Sequence, residues 1–417
     1  MNPKGILLFG VTTVLLLASC APAATPTVSP APSLTATSTS APAPLPFPPA
    51  PDYEPEPTTI TVCADGCDFG TIQAALDDVG TRAGAVITVQ DEVHTEAGIH
   101  VGKDVTIQGL GAGRTVVQAH AARSEASDRV FFVAEGAVVS IKGMAIRHGR
   151  APKGDYSGGG VSSFGTCTLE ACVIHDNAAN DGAGLFNHGT MTIQRCAIHG
   201  NLADRQAPPG YECGSGGGVK SGFRSTLVME DSTISGNVAL GKGGGLFVAC
   251  EGSAKLTNCT VSGNEAERDG GGVYVKAPTE LVHCTVAYNA TSRQGGGIYI
   301  RDQLQWNNTL VAGNAPQDVT IGGEGGYKGR GTISASQHNW VADASCPCDH
   351  SGDPLLDALA DNGGGTLTHA LLPHSPAIDC IPATACSLPY DQRGQPRPIH
   401  VSSGASVCDV GAYERQP

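Results

Sequence analysis

Between Met144 and Asn314 apolar positions recur at a spacing too long for one helix and too regular for loops. The repeat is anchored by Asn177, Asn201, Asn237, Asn264, Asn289 and Asn314, at intervals of 24, 36, 27, 25 and 25 residues. Three residues before each Asn stands Ile174, Ile198, Ile234, Val261, Val286 or Val311, and five before stands Cys172, Cys196, Ser232, Cys259, Cys284 or Thr309. These two positions share the inward face of a period-2 strand. Eight residues before the Asn comes Leu169, Ile193, Met229, Leu256, Leu281 or Trp306, one residue out of phase, so a bend separates two strands. Glycine-rich runs ending in Val161, Leu185, Val219, Leu246, Val273 or Ile298 open a third inward-facing strand.

Each repeat therefore reads as one coil of short strands, and equal coils stacked in parallel at about 4.8 Å bring equal positions into ladders. The Asn column is expected at a corner in the left-handed conformation, each amide bonding the Asn of the next coil. The pattern predicts an all-β, parallel β-helix solenoid over residues 60–345, with coils of about 25 residues. A leucine-rich horseshoe shares the Asn column, but it needs four or more Leu in fixed places, and here glycine holds them. Composition agrees. Glycine at 56 residues and aromatics at 5% suit a chain full of corners, and a solenoid can use all 417 residues as one body.

Both ends of a solenoid need covering. Asp68 to Asp78 places Phe69, Ile72, Ala75 and Leu76 on one helical face before strand begins at Val86 to Val89, and reads as an N-terminal capping helix. Upstream, Lys4, an apolar run from Ile6 to Leu17 and small residues to Ser19 read as a cleaved export signal over 1–19. Residues 20–59, nearly all Ala, Pro, Thr and Ser, read as an extended stalk of about 3.1 Å per residue, up to roughly 100 Å. Fifteen cysteines behind an export signal point to an oxidising compartment, where Cys63 and Cys67 can close as a disulfide. The Cys172–Cys196 and Cys259–Cys284 pairs read equally as inward thiol ladders or bonds. A net charge of -14 with 25 Lys plus Arg argues against a nucleic-acid partner.

Leu17-Ala18-Ser19-Cys20 resembles the bacterial lipobox, which implies that Cys20 is lipidated and anchors the chain to a membrane. The body then faces the cell surface or the extracellular space. The recurring Gly-Gly-Gly-Val or Gly-Gly-Gly-Ile with Gly-Asn-x-Ala resembles repeats of polymorphic outer-membrane proteins and of pectin-lyase-like, right-handed parallel β-helices, over Val130 to Ala315. Asp-Phe-Gly-Thr-Ile-Gln-Ala-Ala-Leu resembles the capping helix of pectin-lyase-like domains. Residues 346–417 carry Asp353-Pro354-Leu355-Leu356, Ser375-Pro376-Ala377-Ile378-Asp379, Asp391-Gln392-Arg393-Gly394 and Cys408-Asp409-Val410-Gly411-Ala412-Tyr413-Glu414. This string resembles the choice-of-anchor Q domain and implies an irregular closing segment with a Cys386–Cys408 disulfide. Cys346, Cys348 and Cys380 are expected to supply another.

Chemistry is less legible. A lyase resembling pectate lyases would need acidic Ca²⁺ ligands beside a proton-abstracting Arg or Lys. Lys220, Lys242, Lys255, Arg224, Arg268 and Arg293 sit in no such signature, and polygalacturonase and pectin methylesterase motifs are missing. His175 and His199 fall on adjacent coils as outward neighbours, but no third ligand column accompanies them, and no metal or cofactor is assigned. One residue after each glycine-run apolar come Ser162, Phe186, Lys220, Phe247, Tyr274 and Tyr299. Phe247, Tyr274 and Tyr299 are thus expected as an outward aromatic ladder on which sugar rings stack, walled by loops at 153–156 and 205–211. The expectation is a monomeric lipid-anchored adhesin or glycan-binding protein, with a polysaccharide lyase or glycoside hydrolase as the alternative.

Overall fold

The computed structural model describes residues 58–155, 157–204, 214–323, 330–346, 348–400 and 406–416. The expected signal, Cys20, most of the stalk, Tyr156 and the loop at 205–211 lie outside the described residues. Among the described residues, three parallel sheets of eleven, ten and nine strands form the body, with a small fourth sheet of two-residue strands. One coil shows the order: Val161–Ser163 in sheet III (nine strands), Thr166–Glu170 in sheet I (eleven), Val173–His175 in sheet II (ten), then Ala178–Ala179.

Within a coil the apolar positions point to one axis, and stacking lays them over each other in register. Leu169 pairs with Ile193, Ile198 with Ile234, and Leu246 with Val273, all fully buried. Burying each such side chain contributes about 1.5–3 kcal/mol. Cys172, Cys196, Cys259 and Cys284 join this core as free thiols.

The bend between sheets I and II is a single left-handed residue, for example Ala171, Arg195 or Asp231 at φ 51, 52 and 48. The second corner differs from expectation. The left-handed residue is the one before each Asn, such as Asp176 or Gly200 at φ 53 and 64, and this turns the Asn side chain inward. There Asn201 Nδ2 donates to Asn237 Oδ1 at 2.9 Å, Asn237 to Asn264 and Asn264 to Asn289, each at 2.9 Å. The ladder saturates buried amides that no water reaches.

The N-terminal plug is a helix at Ile72–Asp77, shorter than the pattern predicts. Its start is delayed because Phe69 N–H bonds Thr61 O at 3.1 Å and Asp68 accepts from Thr61 N–H at 2.8 Å, which ties both residues to the first strand. Thr71 caps it by accepting from Ala74 N–H. A Cys63–Cys67 disulfide closes the loop before it.

Beyond Val341 the chain leaves the solenoid and returns along sheet II as a closing segment. It contains the antiparallel pair Leu356–Ala360 and Thr368–Leu371, and three short strands held by the Cys386–Cys408 disulfide. Cys346, Cys348 and Cys380 are free thiols rather than a further bridge. Cys346 and Cys348 pack against the solenoid core and Cys380 against the separate core under the closing segment, which keeps Cys380 away from the other two.

The segment docks on an outward threonine column. Gln392 Nε2 donates to Thr233 Oγ1 at 2.9 Å, Gln392 Oε1 accepts from Thr260 at 2.6 Å, and Thr285 Oγ1 accepts from Ala412 N–H at 3.0 Å. Gly411 comes so close that a Cβ there would meet Thr285 Oγ1 at 2.7 Å.

Candidate functional site

Two surfaces break the regularity of the coils. The first is the outward face of sheet III. The middle residue of each three-residue strand points away from the core, and strand register strings these residues into one column: His100, Phe132, Ser162, Phe186, Lys220, Phe247, Tyr274, Tyr299 and Thr320.

Phe247, Tyr274 and Tyr299 do stack, with centroids 5.1 and 5.2 Å apart and ring planes within 9°. They are nevertheless not an exposed platform. Their exposures are 7%, 1% and 9%, a small core of their own outside the main one. Each ring is covered by its stacked neighbours and by what lies beside them: Gly322 backs the Tyr299 ring so closely that a Cβ there would meet its hydroxyl at 2.7 Å, and a glycine turn runs close beside the base of each side chain. Gly270 passes so near Tyr274 that a Cβ would lie 3.0 Å from the tyrosine Cβ, and Gly243 and Gly295 do the same over Phe247 and Tyr299. Lys220 and Lys242 ammonium groups lie 5.3 and 5.2 Å from the Phe247 and Tyr274 centroids.

The exposed aromatic surface lies at the other end of the same column. His100 stacks on Phe132 at 5.3 Å, Phe132 meets Phe164 at 5.6 Å, and Phe164 meets Phe186 at 6.4 Å and His188 at 5.0 Å. The three phenylalanines are half-buried and both histidines exposed. Phe164 fills the place that small Ser162 leaves open in the column. Arg129, buried and paired with Asp155 at 2.6 Å, holds its guanidinium 5.4 Å from the Phe132 centroid. Partial burial, and then the charge of Lys220, push the His188 pKa below its ordinary value. Phe132 escapes the sequence pattern because its coil has no Gly-Gly-Gly signature before the strand; the doublet Phe131-Phe132 is the signal that could have found it.

The second surface is a solvent-open cavity of about 910 Å³ between the sheet II corners and the closing segment. Its floor is cut by corner glycines: a Cβ at Gly236 or Gly263 would meet nothing within 4 Å. Its walls include His199, Ser235, Ser262, Tyr288, Leu367 and His369. His199 stacks on His175 at 5.2 Å, and His175 Nδ1 bonds Asp176 Oδ2 at 2.7 Å. Burial, then the charge of His175, push the His199 pKa down. Among the described residues, no group of three or more His, Cys, Asp or Glu is placed to hold a metal ion.

A family model described as a right-handed β-helix region matches residues 129–315. A pectate lyase crystal structure is similar over 87% of this chain and 98% of its own, with a TM-score of 0.54 at 13% identity. The fold is a right-handed parallel β-helix of the pectate-lyase-like kind. A deglycosylated pectin methylesterase from Aspergillus niger covers 72% of this chain and 90% of its own at 13% identity, with a TM-score of 0.38. No curated protein matches the sequence. At such identities the likeness is one of fold, and activity has to be argued from side chains.

Proposed function

We propose that this β-helix is a cell-surface glycan-binding protein, an adhesin anchored through a lipidated Cys20 and held off the membrane by the stalk of residues 20–59. The observation that carries the reading is the half-exposed strip His100, Phe132, Phe164, Phe186 and His188. A row of aromatic rings 5.0 to 6.4 Å apart, tilted against one another and edged by polar groups, offers apolar surface against which the apolar faces of sugar rings can pack. Its position on the strands and the short bends of a stacked solenoid keeps the rings fixed before ligand arrives, which limits the ordering entropy lost on binding. A net charge of -14 disfavours strongly acidic polymers and favours neutral glycans.

The test is a glycan array probed with the full chain, followed by calorimetry on the best ligand. Replacing Phe132 and Phe186 together with Ala should weaken binding at least about tenfold, the loss of roughly 1.4 kcal/mol or more. Unchanged affinity in the folded double variant removes the strip as the site.

A further inference from the structure

The cavity on sheet II holds a serine–histidine pair. Ser262, the outward end of the strand Thr260–Ser262, lies with Oγ 2.8 Å from His369 Nε2. His369, on the closing-segment strand Thr368–Leu371, has Nδ1 2.7 Å from the main-chain oxygen of Asp357. A carbonyl oxygen only accepts, so Nδ1 carries the proton and Nε2 presents its lone pair to the serine hydroxyl. This is the tautomer that a general base beside a nucleophile needs. We propose that Ser262 and His369 form a nucleophile–base dyad that hydrolyses short-chain acyl esters of polar alcohols bound in the cavity.

Size and surroundings define the substrate. Ser262 and His369 are only 3% and 2% exposed, which restricts the acyl half to a small group. The alcohol half takes the wider space above Gly236 and Gly263, between His199 and Leu367. Tyr288, its ring 5.2 Å from that of His369, sets a phenol on the same wall and is assigned as donor to the developing oxyanion. Burial pushes the His369 pKa below its ordinary value, which keeps the base unprotonated at neutral pH.

In the first half-reaction Ser262 Oγ bonds the ester carbonyl carbon as its proton passes to His369 Nε2. The carbon–oxygen bond to the alcohol then breaks, and the alcohol leaves with that proton. In the second, His369 takes a proton from water as the water oxygen bonds the acyl carbon. The acid departs, the proton returns to Ser262 Oγ, and no redox partner or further reactant is consumed. The dyad lies on sheet II, away from the aromatic strip of sheet III, so it stands or falls apart from the glycan-binding reading.

The experiment offers the full chain p-nitrophenyl acetate, butyrate and octanoate, together with an O-acetylated polysaccharide, and maps the serine labelled by a fluorophosphonate. Expected are turnover of acetate well above octanoate, label on Ser262, and a rate reduced at least about a hundredfold in Ser262→Ala. The variant should keep the wild-type glycan profile. No turnover or labelling by the folded wild-type chain, label on another serine, or wild-type rates in Ser262→Ala each overturn the proposal. The labelling map needs no variant, so it decides the matter even if Ser262→Ala undocks the closing segment.

Discussion

Arg397 Nε and Glu414 Oε2 stand 3.1 Å apart with both side chains wholly buried, at the centre of the contact between the closing segment and sheet II. Arg397 also donates to the Gly411 carbonyl at 3.2 and 3.1 Å and to Nδ1 of His283, whose pKa burial and then the Arg397 charge drive down. Glu414 Oε2 accepts from Asp409 N–H at 3.0 Å. Arg393 lies over the Tyr413 ring at 3.8 Å and pairs with Asp391 at 2.7 Å. The Asp-Gln-Arg-Gly and Cys-Asp-Val-Gly-Ala-Tyr-Glu motifs thus work as a lock.

Breaking one partner leaves the other polar group buried and unpaired. Arg397→Ala is expected to destabilise docking by about 3–5 kcal/mol, whereas Arg397→Met with Glu414→Leu should lose far less. Urea unfolding followed by hydrogen exchange in residues 377–414 separates the two cases. Equal losses would mean that packing rather than charge holds the lock.

The asparagine ladder carries a second prediction. Asn264 Oδ1 accepts from both the main-chain N–H and Nδ2 of Asn237, at 3.0 and 2.9 Å. Asn264→Ala strands these donors beside a void, and each unsatisfied buried group costs about 1–3 kcal/mol. Thermal unfolding should show a lowered midpoint, and an unshifted one would show that water or a neighbour replaces the amide.

The N-terminal plug should respond to pH. His94, buried, bonds Asp91 at 2.8 Å through Nδ1 and Glu96 at 2.8 Å through Nε2, and Glu96 in turn accepts the Ile72 and Gln73 N–H groups that start the helix. Burial alone would lower the His94 pKa, but the hydrogen bonds and charges of Glu96 and Asp91 together outweigh it and raise the value. The folded chain therefore binds this proton more tightly than the unfolded one. The stabilisation is complete below about pH 6.5, the ordinary histidine value, and is lost as pH rises through the raised folded value. Hydrogen exchange at Ile72 and Gln73, corrected for intrinsic rates, should show protection falling across that range in the wild type and a flat profile in His94→Gln.

The buried aromatic stack and the exposed strip should separate by mutation. Tyr274→Ala removes a ring that is 1% exposed, at a cost of about 3–5 kcal/mol. Glycan affinity of the folded fraction should stay at the wild-type value. A weakened affinity with unchanged stability would return the binding site to Phe247, Tyr274 and Tyr299.

What the sequence determined alone is whatever repeats. Inward apolar and thiol columns, the Asn anchors and glycine turns all follow from backbone geometry applied once per coil, so the solenoid was legible from the sequence; the capping helix, which occurs once, was legible from its own helical period. That Phe247, Tyr274 and Tyr299 align and point away from the axis was legible too. Their burial was not, because it depends on what covers the rings from outside the strand, Gly322 over Tyr299 and the Lys220 and Lys242 side chains over Phe247 and Tyr274, and a one-dimensional pattern carries no such contacts. At the Asn corner the left-handed residue is the one before the Asn, glycine in four of the six coils, and the Asn itself is freed to turn its amide into the ladder. Ser262 and His369, 107 residues apart, meet only where the closing segment returns along sheet II. Periodicity fixes which coil lies above which; it does not say where a non-repeating segment comes to rest, and there the tertiary structure alone decided.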